Sequence, residues 1–247
     1  MEKVIVPIGV PLAGGGQQCL ATFIERPNRF VAVVQLPDGT LTKAHIADRG
    51  RLVETLVPGV TVCLVSRSGE KRATQWQAAA AQRADGSWAS LDTLLPNRLM
   101  KQILLQYALP GLPLYTSIRS EVSVGASRFD FVLDGGAHPV ILEVKSAGRL
   151  IAGTALVPDA PSSRSARHVG ELAAHAATGQ QAVLVIVAQG SVGRVAIDAD
   201  IDPTLAQAVV AARAAGVIAI GVSAQFDRNG LYFEYTVPCE IHRSMIP

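Results

Sequence analysis

The rhythm of apolar and polar positions changes about a third of the way along this 247-residue chain. In the first part, apolar residues come in short runs separated by turns. Gln18–Ile24 and Arg29–Leu36 alternate or run apolar, and Pro37-Asp38-Gly39-Thr40 follows as a strong turn signal. Pro pre-sets the second turn position and Gly supplies the permissive backbone. Leu41–Ile46 then reads as the return arm of a hairpin. A short helix is expected at Arg51–Leu56, and Pro58-Gly59 turns into Val60–Ser66. Thr74–Ala81 is a further strand before the Asp85-Gly86 turn. Five or so short strands in under about 90 residues predict a small barrel, and a five-stranded OB-like barrel fits that number.

From Pro96 the period lengthens. Leu99, Ile103, Leu104 and Tyr107 recur at helical spacing within Arg98–Leu109. Three strand-like runs follow, Ser117–Val124, Arg128–Leu133 and Pro139–Val144, parted by Gly-containing turns. A helix over Ser163–Ala177 stops near Gly179, a residue suited to ending helices. The unbroken apolar run Ala182–Ala188 predicts a buried, parallel strand. Thr204–Ala215 is a second helix ending at Gly216, and strands at Val217–Ala224 and Leu231–Val237 complete the series. The order α-βββ-α-β-α-β-β is mixed α/β. We therefore expect an N-terminal OB-like domain over residues 1–88 and a mixed-sheet domain over 89–247.

Composition narrows the class. The chain is 49% hydrophobic with a mean hydropathy of +0.30, yet its longest apolar runs, Ala182–Ala188 and Ala214–Ala224, are of strand length. A bilayer span needs about 20 such residues, so no membrane partner is expected. Cys19, Cys63 and Cys239 form no C-x-x-C pair, which argues against a disulfide scaffold or a structural zinc site. Pro7 and Pro11 interrupt the apolar N-terminal stretch, and Gly14-Gly15-Gly16 follows in place of a cleavage site. A cytoplasmic, bacterial-type protein is the expectation. Net charge is only +2, but Ala21–Arg83 carries nine Lys and Arg against five Asp and Glu. From Gly86 onward twelve basic residues face thirteen acids. A local basic excess is what a phosphate-backbone binder needs.

The chemistry-bearing residues lie in Ser127–Leu133 and Val140–Ser146. Glu143 and Lys145 are two apart in a strand and share one face, while Leu142 and Val144 take the other. Asp130 sits between Phe129 and Phe131, and a short hairpin at Asp134–His138 makes the two strands neighbours. Asp130 then falls opposite or diagonal to Glu143, near enough for both carboxylates to hold one cation. Oxygen ligands completed by water suit Mg²⁺ or Mn²⁺. Lys145 would serve the attacking water or steady charge on a phosphate. This is the D…E-x-K pattern of the PD-(D/E)XK nuclease-like fold. The same residues also fit a solvated hairpin face carrying a surface ion pair worth at most about 1 kcal/mol.

The matching stretches extend further: Arg26–Val33, Ala44–Pro58, Leu95–Leu99, Ser117–Gly125, Ser127–Phe131, Leu142–Ser146 and Val157–Leu172. In these the chain resembles the sugar fermentation stimulation protein A (SfsA) family, which joins an OB-like domain to a PD-(D/E)XK, restriction-endonuclease-like domain. The resemblance implies DNA binding and a DNA/RNA nuclease activity. It makes Asp130 and Glu143 metal ligands and Lys145 the catalytic lysine. Glu121 would be an accessory ligand or structural anchor, and Asp159 would lie in a loop able to close over the site. Arg164 and His168, four apart on one helix, would clamp a phosphate. Arg26, Arg29, Arg49, Arg51 and Arg72 would contact the nucleic-acid backbone. Aromatic residues are scarce at 5%, and Trp76, Trp88, Phe23 and Phe30 are expected mostly in the core.

Two departures bear on activity. Lys101-Gln102 stands where the family has an acid just after its helix start, and Asp48-Arg49-Gly50-Arg51 replaces Asn-Thr-Gly-Arg. The leading expectation is a Mg²⁺-dependent phosphodiesterase acting on nucleic acid. Gln102 favours the alternative, a non-catalytic DNA-binding regulator of sugar-metabolism genes built on the nuclease fold. An enzyme for a small phosphorylated or sugar substrate is the third reading. A homodimer is compatible with each.

Overall fold

The computed structural model describes residues 7–69, 73–125 and 127–244. The chain divides into two compact units: Gly9–Arg98 with Phe226–Tyr232, and Met1–Ile8 with Leu99–Gln225 and Phe233–Pro247.

In the first unit, β1 (Gly9–Pro11) pairs antiparallel with residues 230–232, and a 3-10 turn follows at Leu12–Gly14. Then come β2 (Gln18–Asn28), β3 (Val31–Gln35), β4 (Leu41–Ile46), β5 (Thr61–Ser66), β6 (Trp76–Gln82) and β7 (Trp88–Ser90). They lie in the order β4-β3-β2-β5-β6-β7, and β4 also pairs in parallel with β6. That pairing closes β2 to β6 into a five-stranded, OB-like barrel. The predicted alternation is the reason it has an inside. Along β3, Ala32 and Val34 are fully buried while the residues between them are partly exposed, and Phe23, Ile46, Val62 and Leu64 join them in one core. β2 is 11 residues long and is interrupted by register shifts at Phe23/Glu25 and Glu25/Asn28. Such bulges bend and twist a strand so that it can serve partners on both sides.

The short helix expected at Arg51–Leu56 is only a turn. Leu52 takes a left-handed φ of 53°, and the Leu52 carbonyl accepts the N–H groups of Thr55 (3.1 Å) and Leu56 (2.8 Å) in a single turn before Pro58. Past the barrel, buried Asp92 accepts the Ala13 N–H at 3.0 Å and pairs with Arg98. It thereby fixes the start of α1 (Leu95–Leu105). This helix lies earlier than the predicted Arg98–Leu109 because Tyr107 adopts φ 52° and ends it. The bonds Tyr107 N–H to Leu104 carbonyl and Ala108 N–H to Ile103 carbonyl form the usual helix-stop pair, with Tyr where Gly is the common choice.

The second unit contains β8 (Ser117–Val124), β9 (Ser127–Asp134), β10 (Val140–Ala147), β11 (Arg149–Ile151), β12 (Thr154–Val157) and α2 (Ser163–Ala177). After these come β13 (Gln181–Ala188), β14 (Arg194–Asp198), α3 (Pro203–Ala214), β15 (Ile218–Phe226), β16 (Gly230–Val237) and β17 (Cys239–His242). The main sheet runs β16-β15-β13-β10-β9-β8. β13 pairs in parallel with both β10 and β15, and every side chain from Ala182 to Ala188 is at least 99% buried. The buried parallel strand expected there is present. Ile141, Leu184 and Ile186 of one sheet face form a core with Val169 and Leu172 of α2 and Leu205 and Val209 of α3.

A second sheet, in the order β11-β12-β14-β17, did not register in the hydrophobic pattern. Its strands are only 3, 4, 5 and 4 residues long, too short for any period to declare itself. The mixed α/β class stands, but the α-βββ-α-β-α-β-β order omitted these four strands. No helix among the described residues is long and apolar enough to cross a membrane.

Gly221 on β15 is packed against Val195 of β14 and Val237 of β16 with no room for a side chain. A Cβ there would lie 2.6 Å from a Val195 methyl, 2.7 Å from a Val237 methyl and 2.9 Å from the Val237 carbonyl oxygen. Gly221→Ala should lower unfolding stability by about 1–3 kcal/mol, read in denaturant titration. In the barrel, burial pushes the Cys63 thiol up to about 11 because the thiolate is disfavoured away from water. Cys63 should therefore resist iodoacetamide at pH 8 in the folded protein and react after unfolding, as peptide mass mapping would show.

Candidate functional site

β9 and β10 form the antiparallel hairpin that carries the D…E-x-K residues. Their register is Val140 with Leu133, Ile141 with Val132 and Leu142 with Phe131. The next residues along are Glu143 and Asp130, the juxtaposition expected from the sequence. Here the backbone ladder gives way to a side chain, since the half-buried Asp130 accepts the Val144 N–H on Oδ2 at 2.7 Å. That bond fixes the Asp130 carboxylate against the strand bearing Glu143.

Glu143 is 4% exposed, so the solvated surface pair allowed by the sequence is not what forms. Its face of β10, shared with core residue Ile141, lies against α2, and buried His168 of α2 reaches it. Glu143 Oε1 accepts from Lys145 Nζ at 2.7 Å and contacts His168 Nδ1 at 3.0 Å. A carboxylate can only accept, so Nδ1 carries the proton in this contact. Glu143 Oε2 is buried without a hydrogen-bond partner among the described residues. An uncompensated buried carboxylate oxygen costs roughly 1–3 kcal/mol or more, which a cation bound to it would offset. An oxygen ligand beside a second carboxylate fits a hard divalent cation. Among the described residues no group of three or more His, Cys, Asp or Glu is placed to hold a metal.

The accessory residues separate into different roles. Glu121 on β8 follows a register that sets it across from Asp130, but it has φ 56°, is exposed, and pairs through Oε2 with Arg128 Nε at 2.9 Å. That contact is the anchor reading of Glu121. Asp159 is exposed in the loop between β12 and α2, and Arg164 is exposed on the first turn of α2. His168, one turn further on, faces inward to Glu143 rather than outward. A residue not singled out from sequence is Asp202. It is 3% exposed, accepts the Ser162 N–H at 2.8 Å, and caps α3 through the Leu205 N–H at 2.9 Å. It thus ties the Asp159 loop and the start of α2 to the core. The Asp-Pro pair at 202–203, a capping residue before a first-turn Pro, was the available signal.

The predicted backbone-contacting arginines lie in the barrel unit and are not equivalent. Arg26 directs its guanidinium inward: Nη1 donates to the carbonyls of Gly50 (2.6 Å) and Arg51 (2.9 Å), and Nη2 to those of Arg29 (2.8 Å) and Asp48 (3.0 Å). It therefore draws the β2–β3 turn and the 48–51 loop together. Arg29, Arg49 and Arg51 on these two segments are exposed. Phe30 is 42% exposed rather than in the core, and the Arg49 guanidinium carbon lies over its ring at 5.4 Å from the centroid. Phe23 is in the core as expected, Trp76 and Trp88 are half-buried, and Arg72 lies outside the described residues.

Comparison with known proteins places this geometry. Residues 24–91 match the SfsA N-terminal OB domain and residues 94–230 the sugar fermentation stimulation protein RE domain. A sugar fermentation stimulation protein homolog of Chloroflexus aurantiacus is 38% identical over 98% of this chain and 93% of its own length. A Moorella thermoacetica homolog is 40% identical over 80% of this chain and 85% of its own. The structure of Pyrococcus furiosus SfsA in complex with Ca²⁺ aligns with a TM-score of 0.82 at 26% identity, covering 96% of this chain and all of that one. Barrel, nuclease-like sheet and matched sequence agree, and the chain belongs to the sugar fermentation stimulation protein (SfsA) family.

Proposed function

We propose that this protein is a divalent-cation-dependent nuclease that hydrolyses phosphodiester bonds in DNA or RNA. The observation that carries the reading is the buried, unpartnered Glu143 Oε2 beside Asp130, on the strand that also presents Lys145. A solved relative described in complex with Ca²⁺ adds support, since Ca²⁺ and Mg²⁺ share a preference for oxygen ligands.

In this reading Asp130 and Glu143 hold Mg²⁺ or Mn²⁺. The cation supplies Lewis-acid stabilisation of charge on the scissile phosphate. Asp130 is kept in place by the Val144 N–H. Glu143 is kept in place by the two donors on its other oxygen. The Lys145 ammonium would leave Glu143 Oε1 for the phosphate as negative charge builds there, or hold the attacking water by its donors. Arg164, exposed at the start of α2, binds a flanking phosphate. The OB-like unit contributes affinity through Arg29, Arg49 and Arg51, with the exposed ring of Phe30 available for stacking on a base.

The second reading, a DNA-binding regulator without catalysis, is favoured by Gln102 and by the want of a third metal-ligating side chain among the described residues. The two differ on cleavage alone. With Mg²⁺ present, Lys145→Ala should reduce cleavage of a labelled DNA or RNA by about 10²–10⁴-fold and leave binding intact. Equal cleavage by the variant removes Lys145 from the mechanism, and no cleavage by the parent protein favours the regulator.

The barrel makes a separate prediction. Arg49→Ala and Arg51→Ala should each reduce the slope of log affinity against log salt by roughly 0.7–0.9, one phosphate contact each. Arg26→Ala should instead lower the thermal midpoint, because its donors are spent on the chain's own carbonyls. Fluorescence anisotropy at several salt concentrations, together with thermal melts, separates the two effects.

A further inference from the structure

His168 first reads as a helix-surface group reaching for phosphate, but its position argues for a different task. Its side chain is 6% exposed, and its Nδ1 is 3.0 Å from Glu143 Oε1, the same oxygen that takes Lys145 Nζ at 2.7 Å. Two donors converge on one carboxylate oxygen, and the other, Oε2, is left buried and without a partner. A buried carboxylate free to turn about its last bond would bring whichever oxygen it could to those donors. With both donors fixed on Oε1, rotation costs two charge-assisted or polar bonds at once.

The donors are not equally permanent. Lys145 sits on the same strand with a 19% exposed side chain and a flexible stem, and the proposed chemistry draws it toward phosphate. His168 is held by the fold: α2 is capped by Ser162 and buries Ala166, Val169 and Leu172 around it. The ring also lies 6.4 Å from that of buried Phe129, centroid to centroid.

We infer that His168 is the positioning residue of the site. By donating from Nδ1 to Glu143 Oε1 it keeps Oε2 presented to the cation when Lys145 moves away, and it does not contact phosphate. The inference rests on the reading of Glu143 as a metal ligand. Partners that orient ligating side chains typically account for about 10–100-fold in metal affinity. Their effect should follow the donor and not the bulk of the ring.

That distinction sets the experiment. Mn²⁺ binding to the full chain, measured by the loss of free-ion electron paramagnetic resonance signal, is compared in the parent, His168→Phe and His168→Asn. Phe keeps a ring of similar size and loses the donor. Asn loses bulk, but its amide N–H occupies much the same place as the imidazole Nδ1–H. We expect affinity to fall about 10–100-fold in His168→Phe and to stay within a few-fold of the parent in His168→Asn. Nucleic-acid affinity in EDTA should be unchanged in both. The reverse order, Phe close to the parent and Asn weak, would mean that packing matters and would overturn the inference. So would a loss of nucleic-acid affinity in EDTA with Mn²⁺ affinity preserved, which would make His168 a phosphate clamp. A parent protein that takes up no Mn²⁺ sinks the metal-site reading itself, whereas unaltered Mn²⁺ affinity in both variants sinks only the role of His168. Thermal melts establish that the variants are folded, and if His168→Phe does not fold, His168→Leu takes its place as the variant without a donor.

Discussion

A carboxylate taken out of water must be compensated, and in this protein that requirement organises the ground around Glu143. β10 is an interior strand with β9 on one edge and β13 on the other, its Glu143 face lies against α2, and Glu143 is only 4% exposed. Compensation has to come from beside it on the strand and from the helix above. Lys145 answers the first need and His168 the second. α2 is held where His168 can do this by the Ser162 cap, the Asp202 carboxylate that accepts the Ser162 N–H, and the core residues Val169 and Leu172. The compensation stops at one oxygen. Among the described residues the second oxygen, Oε2, has no donor, and on the proposed reading a cation would supply what it lacks.

The basic unit follows a different logic. Its arginines do not owe their positions to buried charge. They ride on a barrel whose interior is assembled mostly from small and medium apolar side chains, among them Ala32, Ala44, Ala78 and Ala81. The interior residues determine the shape, and on the proposed reading the turn and loop residues are left for recognition. An OB-like barrel separates these tasks because alternate residues of each strand point to opposite sides.

What was legible in the sequence was whatever repeats. The alternation through β3, the unbroken apolar run of β13 and the helical spacing of Leu99 and Ile103 each declared an element with the right type. The D…E-x-K pair was legible because strand geometry puts residues two apart on one face and a short hairpin aligns the partners. What did not show was short or aperiodic. β11, β12, β14 and β17 have too few residues to display a period. Tyr107 and Leu52 adopt left-handed backbones for which neither residue type is a signal. His168 could be placed on a helix face, yet which way that face turned depended on how α2 packs across the sheet. Side-chain direction across an interface is a tertiary property, and Arg26, read as a surface contact and found bonded to four carbonyls, illustrates the same limit.

Arg26 has one more implication. Its four bonds end on main-chain oxygens, which every amino acid possesses, and none depends on the side chains at 29, 48, 50 or 51. The loop's path therefore owes little to its own spelling, and the side-chain bond printed within it, Gly50 N–H to Asp48 Oδ1 at 2.7 Å, is one that an Asn oxygen could equally accept. Asp48-Arg49-Gly50-Arg51 can stand where relatives carry Asn-Thr-Gly-Arg, and the backbone can follow the same course. A surface built this way can change its side chains one residue at a time without refolding the barrel beneath.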